Sequence, residues 1–197
     1  TGIYAQNITM NLRHIMNIFQ ILLECLWFLL PGLLANSAPV FVKNVNFLNY
    51  PVDFNKKIGG KRIFGSHKTL RGFFFGIITA IVIVYIQIQV YGIPFFYNIS
   101  LLDYSSNNFF ILGFLFGFGA LFGDAIKSFF KRRVGISPGK TWFPFDQIDS
   151  VLGIILLMSL IYVPSVLHIF AMIMIELILH LVFVYFGYLL KIREQPI

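Results

Sequence analysis

Four long apolar stretches constrain this chain of 197 residues more than any other feature. The clearest of them, residues 72–91, contains no charged side chain. A helix of about 20 apolar residues crosses the hydrocarbon core of a bilayer, so each stretch is long enough for at least one crossing. The composition agrees, because charged residues make up 12% of the chain, whereas soluble domains carry roughly 25%. The sequence therefore predicts an all-α integral membrane protein.

Proline residues subdivide these stretches into about five predicted transmembrane helices. The last stretch, 148–190, is too long for one crossing, and Pro164 divides it into two. Pro31 and Gly32 are expected to break the first helix. We predict a single membrane domain over residues 1–197 with spans at about 15–42, 72–91, 108–130, 148–163 and 166–190.

The distribution of lysine and arginine predicts the orientation of these spans. Seven of the 15 lie in 43–71 and five lie in 124–149, whereas 92–107 and the turn around residue 164 have none. This alternation is the pattern of the positive-inside rule. It predicts a cell-membrane protein with both basic loops in the cytoplasm and the N-terminus outside. The net charge is +7. Because membrane topology accounts for the cations, we expect no nucleic-acid partner.

Glycine pairs distinguish the third predicted span from the others. Gly113 and Gly117, and then Gly119 and Gly123, recur at four-residue spacing. Small residues at this spacing let the backbones of membrane helices approach closely. We therefore expect the third span to lie at the centre of the helix bundle.

The scarce charges of both signs gather in "GDAIKSFFKRRVGISPGKTWFPFDQID", residues 123–149. Asp124 lies where the third span reaches the predicted cytoplasmic surface, and a continued helix would place several polar side chains on its face. Those side chains are Ser128, Lys131 and Arg132. Asp146 and Asp149 are three residues apart at the start of the fourth span. Packing of the third span against the fourth would bring all three carboxylates together.

Three converging carboxylates would repel one another unless a cation lay between them. Oxygen ligands of this kind suit Mg²⁺, which substrate phosphates usually complete, and neighbouring Lys and Arg side chains suit phosphate oxygens. We predict a Mg²⁺ site at Asp124, Asp146 and Asp149 that acts on a phosphate. For other cations of the loop, a role as topology signals is favoured; these are Lys127, Arg133 and Lys140.

Ionisable residues inside the apolar stretches raise a rival hypothesis. Glu24, Glu176 and His180 could form a proton or cation path of a transporter. A transporter often shows inverted repeats, and no repeat is visible in this sequence. The spacing of Glu176 and His180 also lets them satisfy each other.

A third hypothesis, a non-catalytic module that binds anionic lipids, explains the cations but leaves the three aspartates unexplained.

Two blocks of the sequence resemble a known family. The block "GDAIKSFFKRRVGISPGKTWFPFDQIDSVLG" resembles the signature of archaeal CDP-archaeol synthases, which are relatives of the bacterial CDP-diacylglycerol synthases. A second block, "PGLLANSAPVF" followed by "PVDFNKKIGGKRIFGSHKTLRGFFFG", resembles the same family. Together the blocks cover residues 31–153, and the five-span layout of the family agrees with the charge pattern.

The resemblance implies transfer of a cytidylyl group. CTP would react with an isoprenoid ether-lipid phosphate, digeranylgeranylglyceryl phosphate, to give CDP-archaeol and pyrophosphate with Mg²⁺ as cofactor. Gln147 and the short turn before it favour the archaeal branch over the bacterial one, which carries Arg at that point. The alternative of a CDP-diacylglycerol synthase acting on phosphatidic acid stays open, and so does a homodimer.

The resemblance also assigns residues to roles. Asp124, Asp146 and Asp149 would hold the metal, and Lys131 and Arg132 would act with them in catalysis. Lys68 and Arg71 of the first loop would hold phosphates, which requires that loop to fold over the site. The remaining residues expected at the substrate are Asn36, Thr69, Ser128, Pro138, Gly139 and Gln147.

Overall fold

The computed structural model of the chain describes residues 2–137 and 140–189, with side chains described from residue 17 to 182 inside those ranges and at Tyr185. The helices are α1 (Gly2–Phe41), α2 (Leu70–Val90), α3 (Pro94–Asn98), α4 (Phe109–Arg133), α5 (Phe145–Met158) and α6 (Val166–Leu189). Strands β1 (Lys57–Ile58) and β2 (Lys61–Arg62) form a small antiparallel hairpin between α1 and α2. The predicted all-α class is confirmed.

Within the described ranges, three helices are long and apolar enough to cross a membrane: the 17–41 part of α1, α2 and α4. Helix α6 is apolar over Val166–Val182. The bounds of α2, α4 and α6 follow the predicted spans closely. These helices are identified as possible spans by their length and apolar composition alone. The five-span layout as a whole therefore stays a prediction.

Local side-chain chemistry explains where α2 and α4 begin and end. The hydroxyl of Thr69 accepts a hydrogen bond from the backbone N–H of Gly72 at 3.2 Å, and the side chain of Asn108 caps α4 in the same way through Phe110 at 2.9 Å. Such caps satisfy backbone donors that have no partner inside the helix. Helix α4 ends in three cations, which suit the negative end of its dipole. Gly135 then turns the chain with a φ of +85°.

The expected break of the first helix at Pro31 and Gly32 is wrong. Helix α1 continues through both residues to Phe41. A proline is tolerated inside a membrane helix because neighbouring helices can satisfy the backbone group that it frees. Pro31 is buried among those neighbours, and Gly32 packs against Ile154 of α5.

Helix α5 differs in its bounds from the fourth span expected at about 148–163. Helix α5 begins three residues earlier, at Phe145, and ends at Met158. The hydroxyl of Ser159 hydrogen-bonds the carbonyl of Leu156 at 2.7 Å, and the chain turns before Pro164. With 14 residues, α5 is about 21 Å long, which is shorter than the bilayer core of about 30 Å.

Helix α4 is the centre of the bundle and packs against α1, α2 and α5. A Cβ atom on Gly117 would lie 2.9 Å from Ala80 of α2, and one on Gly119 would lie 2.8 Å from the carbonyl oxygen of Gly153 in α5. These distances are far shorter than ordinary carbon contacts. The expected central position of the third span is therefore confirmed, and the glycines are its physical cause.

Polar side chains inside the apolar helices have partners in neighbouring helices. Glu24 of α1 pairs with Nε2 of His168 in α6 at 2.9 Å. Gln87 of α2 is buried and donates to the carbonyl of Trp27 at 2.7 Å, and Tyr104 donates to Gln87 at 3.0 Å. These groups tie helices together because an unpaired polar group is costly in an apolar environment.

The contact between α4 and α5 predicts that Gly153→Ala destabilises the protein. The added methyl group would collide with the carbonyl oxygen of Gly119 and would lie 2.9 Å from the Cα atom of Gly123. We expect the unfolding temperature in detergent to fall by roughly 5 °C, because overpacking costs about 1–3 kcal/mol. Gly92→Ala is the control, since nothing lies within 4 Å of its added Cβ. Equal melting temperatures for the two variants would contradict the packing analysis.

Candidate active site

The three predicted aspartates converge on one ammonium group. The Nζ atom of Lys127 lies 3.0 Å from Asp124, 3.1 Å from Asp146 and 2.6 Å from Asp149. Asp124 and Lys127 stand on the same face of α4, and the other two stand in the first turns of α5. The close glycine contact between these helices explains the convergence, because it removes the side-chain layer that would hold the carboxylates apart.

Two further lysines surround the carboxylates from outside. Lys68, from the segment before α2, pairs with Asp124. Lys131, one turn beyond Lys127 on α4, donates to both oxygens of Asp146 at 3.0 and 2.9 Å. Three carboxylates and three ammonium groups therefore form a neutral, largely buried cluster, which we call the aspartate–lysine cluster.

The donor set of this cluster fits a divalent cation. Each aspartate directs an oxygen at the position of the Lys127 Nζ atom, so one small cation can meet all three. Asp149 Oδ2 is buried, and the Lys127 ammonium lies 2.6 Å from it. Among the described residues, no group of three or more His, Cys, Asp or Glu side chains has the arrangement of a preformed metal site, and the Lys127 ammonium lies among the three carboxylates. The carboxylates thus fit Mg²⁺ in kind, provided that Lys127 moves.

A basic cavity of about 140 Å³ opens beside the cluster. Its wall carries cations and a hydroxyl, which are groups that hold phosphate oxygens. The polar residues on this wall are His67, Lys68, Lys127, Ser128, Lys131 and Arg132. Arg132 is fixed through a 2.7 Å hydrogen bond from Nη1 to the carbonyl of Ile136, while its buried Nε has no partner among the described residues. The structure thus brings Ser128, Lys131 and Arg132 together as expected.

A second polar cavity of about 180 Å³ lies on the other side of Lys68. Asn36 of α1, Thr69 and Asp124 contribute to its wall. The expected residues Asn36 and Thr69 are therefore brought together, although they come from two different helix ends. Lys68 lines both cavities and so stands between them.

An apolar groove of about 430 Å³ runs between α4 and α5. Apolar side chains of both helices line it, among them Phe122, Ile126, Leu152 and Leu156. Lys127 and Asp149 also lie on its wall, so the aspartate–lysine cluster is shared between the groove and the basic cavity. An apolar chain with a phosphate at its end would match this combination of surfaces.

Two of the expected substrate residues, Arg71 and Gln147, line neither polar cavity, and two more lie outside the described residues. Arg71 is buried and its guanidinium hydrogen-bonds the carbonyl of Val45, so it holds the chain before α2 and lines neither polar cavity. Pro138 and Gly139 lie outside the described residues. Gln147 stands in the first turn of α5, buried, with its Oε1 atom unpartnered among the described residues.

A buried polar chain connects the cluster to α6. The backbone N–H of Ser150 donates to Asp149 at 2.6 Å, and its hydroxyl donates to Glu176 at 3.0 Å. Asn36 donates to the same hydroxyl at 3.4 Å. Glu176 therefore supports a residue next to the cluster. Its position is consistent with a structural role rather than with a transport path.

Asp53 organises the first loop, which folds over the end of α4. Its carboxylate accepts hydrogen bonds from Arg62, at 2.6 Å, and from the backbone N–H groups of Asn55, Phe64 and Gly65. Burial raises the pKa of Asp53, but the hydrogen bonds from Arg62 and the backbone outweigh it and lower the pKa to about 2.

Arg133 fastens this loop to α4. Its guanidinium donates to the carbonyls of Ile58 and Arg62, and it lies 4.7 Å from the centre of the Phe129 ring. Lys61 donates back to the carbonyl of Arg133 at 3.2 Å. These contacts favour a structural role for Arg133. They also explain how Lys68 reaches the cluster.

The Asp53 network predicts that Asp53→Asn loosens the first loop. The variant loses an ion pair and weakens three backbone hydrogen bonds, so we expect amide exchange of Phe64 and Gly65 to accelerate at least about tenfold. The native carboxylate contributes fully above its unfolded pKa of about 3.9, and its contribution is lost as the pH falls through about 2. Hydrogen–deuterium exchange at neutral pH measures the effect, with residues 99–108 as the internal control. Unchanged protection at Gly65 would contradict it.

Lys127 belongs to the cluster although it was predicted to be a topology signal. Its signal was present, because Lys127 follows Asp124 by three residues and so shares its helix face. His67 and Ser150 carried weaker signals, since nothing in the local pattern shows which cavity or helix they meet. These two contacts depend on the folding of the first loop and on the packing of α6.

Comparison with known proteins places these features in one family. A family model described as "CarS-like: CDP-archaeol synthase" matches residues 18–197. The CDP-archaeol synthase of Methanopyrus kandleri is 35% identical over 175 residues, which cover 87% of this chain and 91% of that protein. The CDP-archaeol synthase of Archaeoglobus fulgidus is 35% identical over 185 residues, covering 89% of this chain and 98% of that protein.

A solved structure shares the fold. It belongs to an intramembrane enzyme for archaeal membrane lipids biosynthesis, and it superposes with a TM-score of 0.65 at 26% identity. The match covers 80% of this chain and 90% of that one. The expected class of an all-helical membrane protein is thereby confirmed.

Proposed function

The chain belongs to the CDP-archaeol synthase family and is a CTP-dependent cytidylyltransferase of archaeal membrane-lipid synthesis, and we propose that the aspartate–lysine cluster is its active site. The observation that carries this proposal is the position of the cluster. Three carboxylates from two helices meet between a basic cavity and an apolar groove. The two substrates, a nucleotide and a lipid phosphate, have the chemistry of these two surfaces. Family membership also removes the support for the transporter and binding-module hypotheses.

In the proposed reaction, an oxygen of the lipid phosphate attacks the α-phosphorus of CTP. A new phosphorus–oxygen bond forms, the bond between the α-phosphorus and the bridging oxygen breaks, and pyrophosphate leaves. The lipid phosphate is already an anionic nucleophile, so no side chain has to activate it. The chain contributes position and positive charge, as in other phosphoryl-type transfers.

The cations of the basic cavity would hold the phosphates of CTP. Lys68, Lys131 and Arg132 line it from two sides, and the buried Arg132 Nε is a donor without a partner among the described residues. Asp124, Asp146 and Asp149 would hold Mg²⁺, which supplies positive charge to the phosphates when it is bound. Asn36 and Thr69 would shape the second polar cavity for the rest of the nucleotide.

The apolar groove between α4 and α5 would accept an isoprenoid chain of the lipid. Phe122, Ile126, Leu152 and Leu156 offer a surface without polar demands, so burial of the chain is driven by the hydrophobic effect and dispersion. Because Lys127 and Asp149 also line this groove, a lipid bound there would have its phosphate beside the cluster. One chain supplies every group in this proposal, so no second subunit is required.

We also propose that the site faces the cytoplasm. The first loop, the end of α4 and the start of α5 meet at one end of the bundle, and they contain 12 of the 15 Lys and Arg residues. The positive-inside rule assigns such an end to the cytoplasmic side.

Gln147 and Arg71 would support the site through the packing of α5 and of the first loop.

The first experiment measures product formation from labelled CTP and Mg²⁺ with digeranylgeranylglyceryl phosphate or with diacyl phosphatidic acid. We expect labelled CDP-lipid from the ether lipid, and a loss of at least about 100-fold in Asp124→Asn and Asp149→Asn. Asp103→Asn is the matched control. Asp103 lies in the loop between α3 and α4, outside the cluster, and its carboxylate accepts a hydrogen bond from the hydroxyl of Ser105. Product from the diacyl lipid alone would change the assigned substrate, and no product from either lipid would refute the proposal.

The groove assignment is tested by Leu156→Trp. The larger side chain would fill the space for the lipid, so we expect the KM for the lipid to rise at least about tenfold while CTP binding stays unchanged. Leu160→Trp is the control, since Leu160 lies in the exposed turn after α5 and does not line the groove. Equal lipid KM values for the two variants would show that the lipid binds elsewhere.

A further inference from the structure

Lys127 occupies the centre of the aspartate–lysine cluster in a way that the other lysines do not. Its ammonium lies within 3.1 Å of one oxygen from each of three carboxylates, and its side chain is 15% exposed. Lys68 and Lys131 each pair with one aspartate. The contact with Asp149 Oδ2 is the shortest of the three, at 2.6 Å. Lys127 is therefore the counter-ion that all three carboxylates share.

The same position is the one that the carboxylates offer to a metal ion. With Lys127 in place the three aspartates are balanced by three ammonium groups. Removal of Lys127 alone would leave three facing carboxylates with two counter-charges. A divalent cation and the ammonium would repel each other at this distance, so the two cannot occupy the centre together.

The basic cavity offers the Lys127 ammonium a second position. Its side chain lines the basic cavity with Ser128, Lys131 and Arg132. The flexible four-carbon stem of lysine lets the ammonium move without a change in the helix. Phosphate oxygens of the nucleotide in that cavity would give the displaced ammonium a new partner.

We infer that Lys127 is a built-in counter-ion that the divalent cation displaces from the aspartates and that then binds the phosphates of CTP. This inference rests on the proposed function. It gives a physical cause for coupling between metal and nucleotide. The metal alone must displace an ion pair without compensation, whereas CTP supplies the displaced ammonium with a partner. Each ligand should therefore strengthen the binding of the other by the same factor.

The test measures Mn²⁺ binding to the whole protein in detergent, by electron paramagnetic resonance, with and without CTP. The informative variant is Lys127→Met, which keeps the length of the side chain and removes its charge. We expect it to bind Mn²⁺ without CTP at least about tenfold more tightly than the native protein. The enhancement of Mn²⁺ binding by CTP should shrink by a similar factor. Lys140→Met is the matched control, because it removes the same charge from an exposed side chain.

The outcomes separate this inference from the proposed function. Suppose that Lys127→Met binds Mn²⁺ no better than the native protein, while Asp149→Asn abolishes both Mn²⁺ binding and product formation. The displacement is then refuted and the active site stands. If the native protein makes product without any divalent cation, the metal assignment fails, and the inference fails with it.

A second measurement needs no variant and covers the case in which Lys127→Met fails to fold. Amine-reactive labelling followed by mass spectrometry compares the metal-free protein with the protein at saturating Mn²⁺. We expect labelling of Lys127 to rise at least about fivefold with Mn²⁺, because its ammonium leaves the carboxylates. Labelling of Lys140 should stay constant. Equal labelling of Lys127 in the two states would refute the displacement.

Discussion

The close contact between α4 and α5 is the constraint on which the rest of this structure depends. Gly119 and Gly123 face Gly153 and the backbone of Asp149, with no side chains between the two helices at this level. A membrane bundle gains little from the hydrophobic effect between its helices, so such close packing must supply dispersion contacts instead. The same contact places aspartates of both helices around one ammonium. Helix packing and site assembly are therefore a single event in this protein.

The charges of the site are stable because they compensate one another. Three largely buried carboxylates would be costly alone, and each is paired with lysine at 3.1 Å or less. Because this cluster is neutral, binding of the proposed metal would require an exchange of counter-ions. The basic cavity and the apolar groove meet at this cluster. The proposed sites of the nucleotide and the lipid therefore meet at one point.

The first loop contributes to the site through its own internal order. Asp53 gathers the backbone of residues 55–65, Arg133 fastens the hairpin to α4, and Lys68 thereby reaches Asp124. Local propensity does not determine this arrangement. Two-residue strands and turns with positive φ at Phe54 and Asn55 are held by a buried carboxylate rather than by pattern. The first loop is therefore more than a topology signal, because it also forms part of the cavity wall.

The sequence by itself determined the helical membrane class, the central position of α4 and the convergence of Asp124, Asp146 and Asp149. These follow from periodicity, glycine spacing and the length of apolar stretches, which are local properties of the chain. The course of α1 through Pro31, the short α5 and the positions of Lys127, Ser150 and Arg71 were decided by tertiary structure. In each case the outcome depends on which group a neighbouring helix or loop presents, such as the carboxylates of α5 at Lys127 or the carbonyl of Val45 at Arg71. A contact between distant segments is a property of the packed bundle, and no single stretch of sequence contains it.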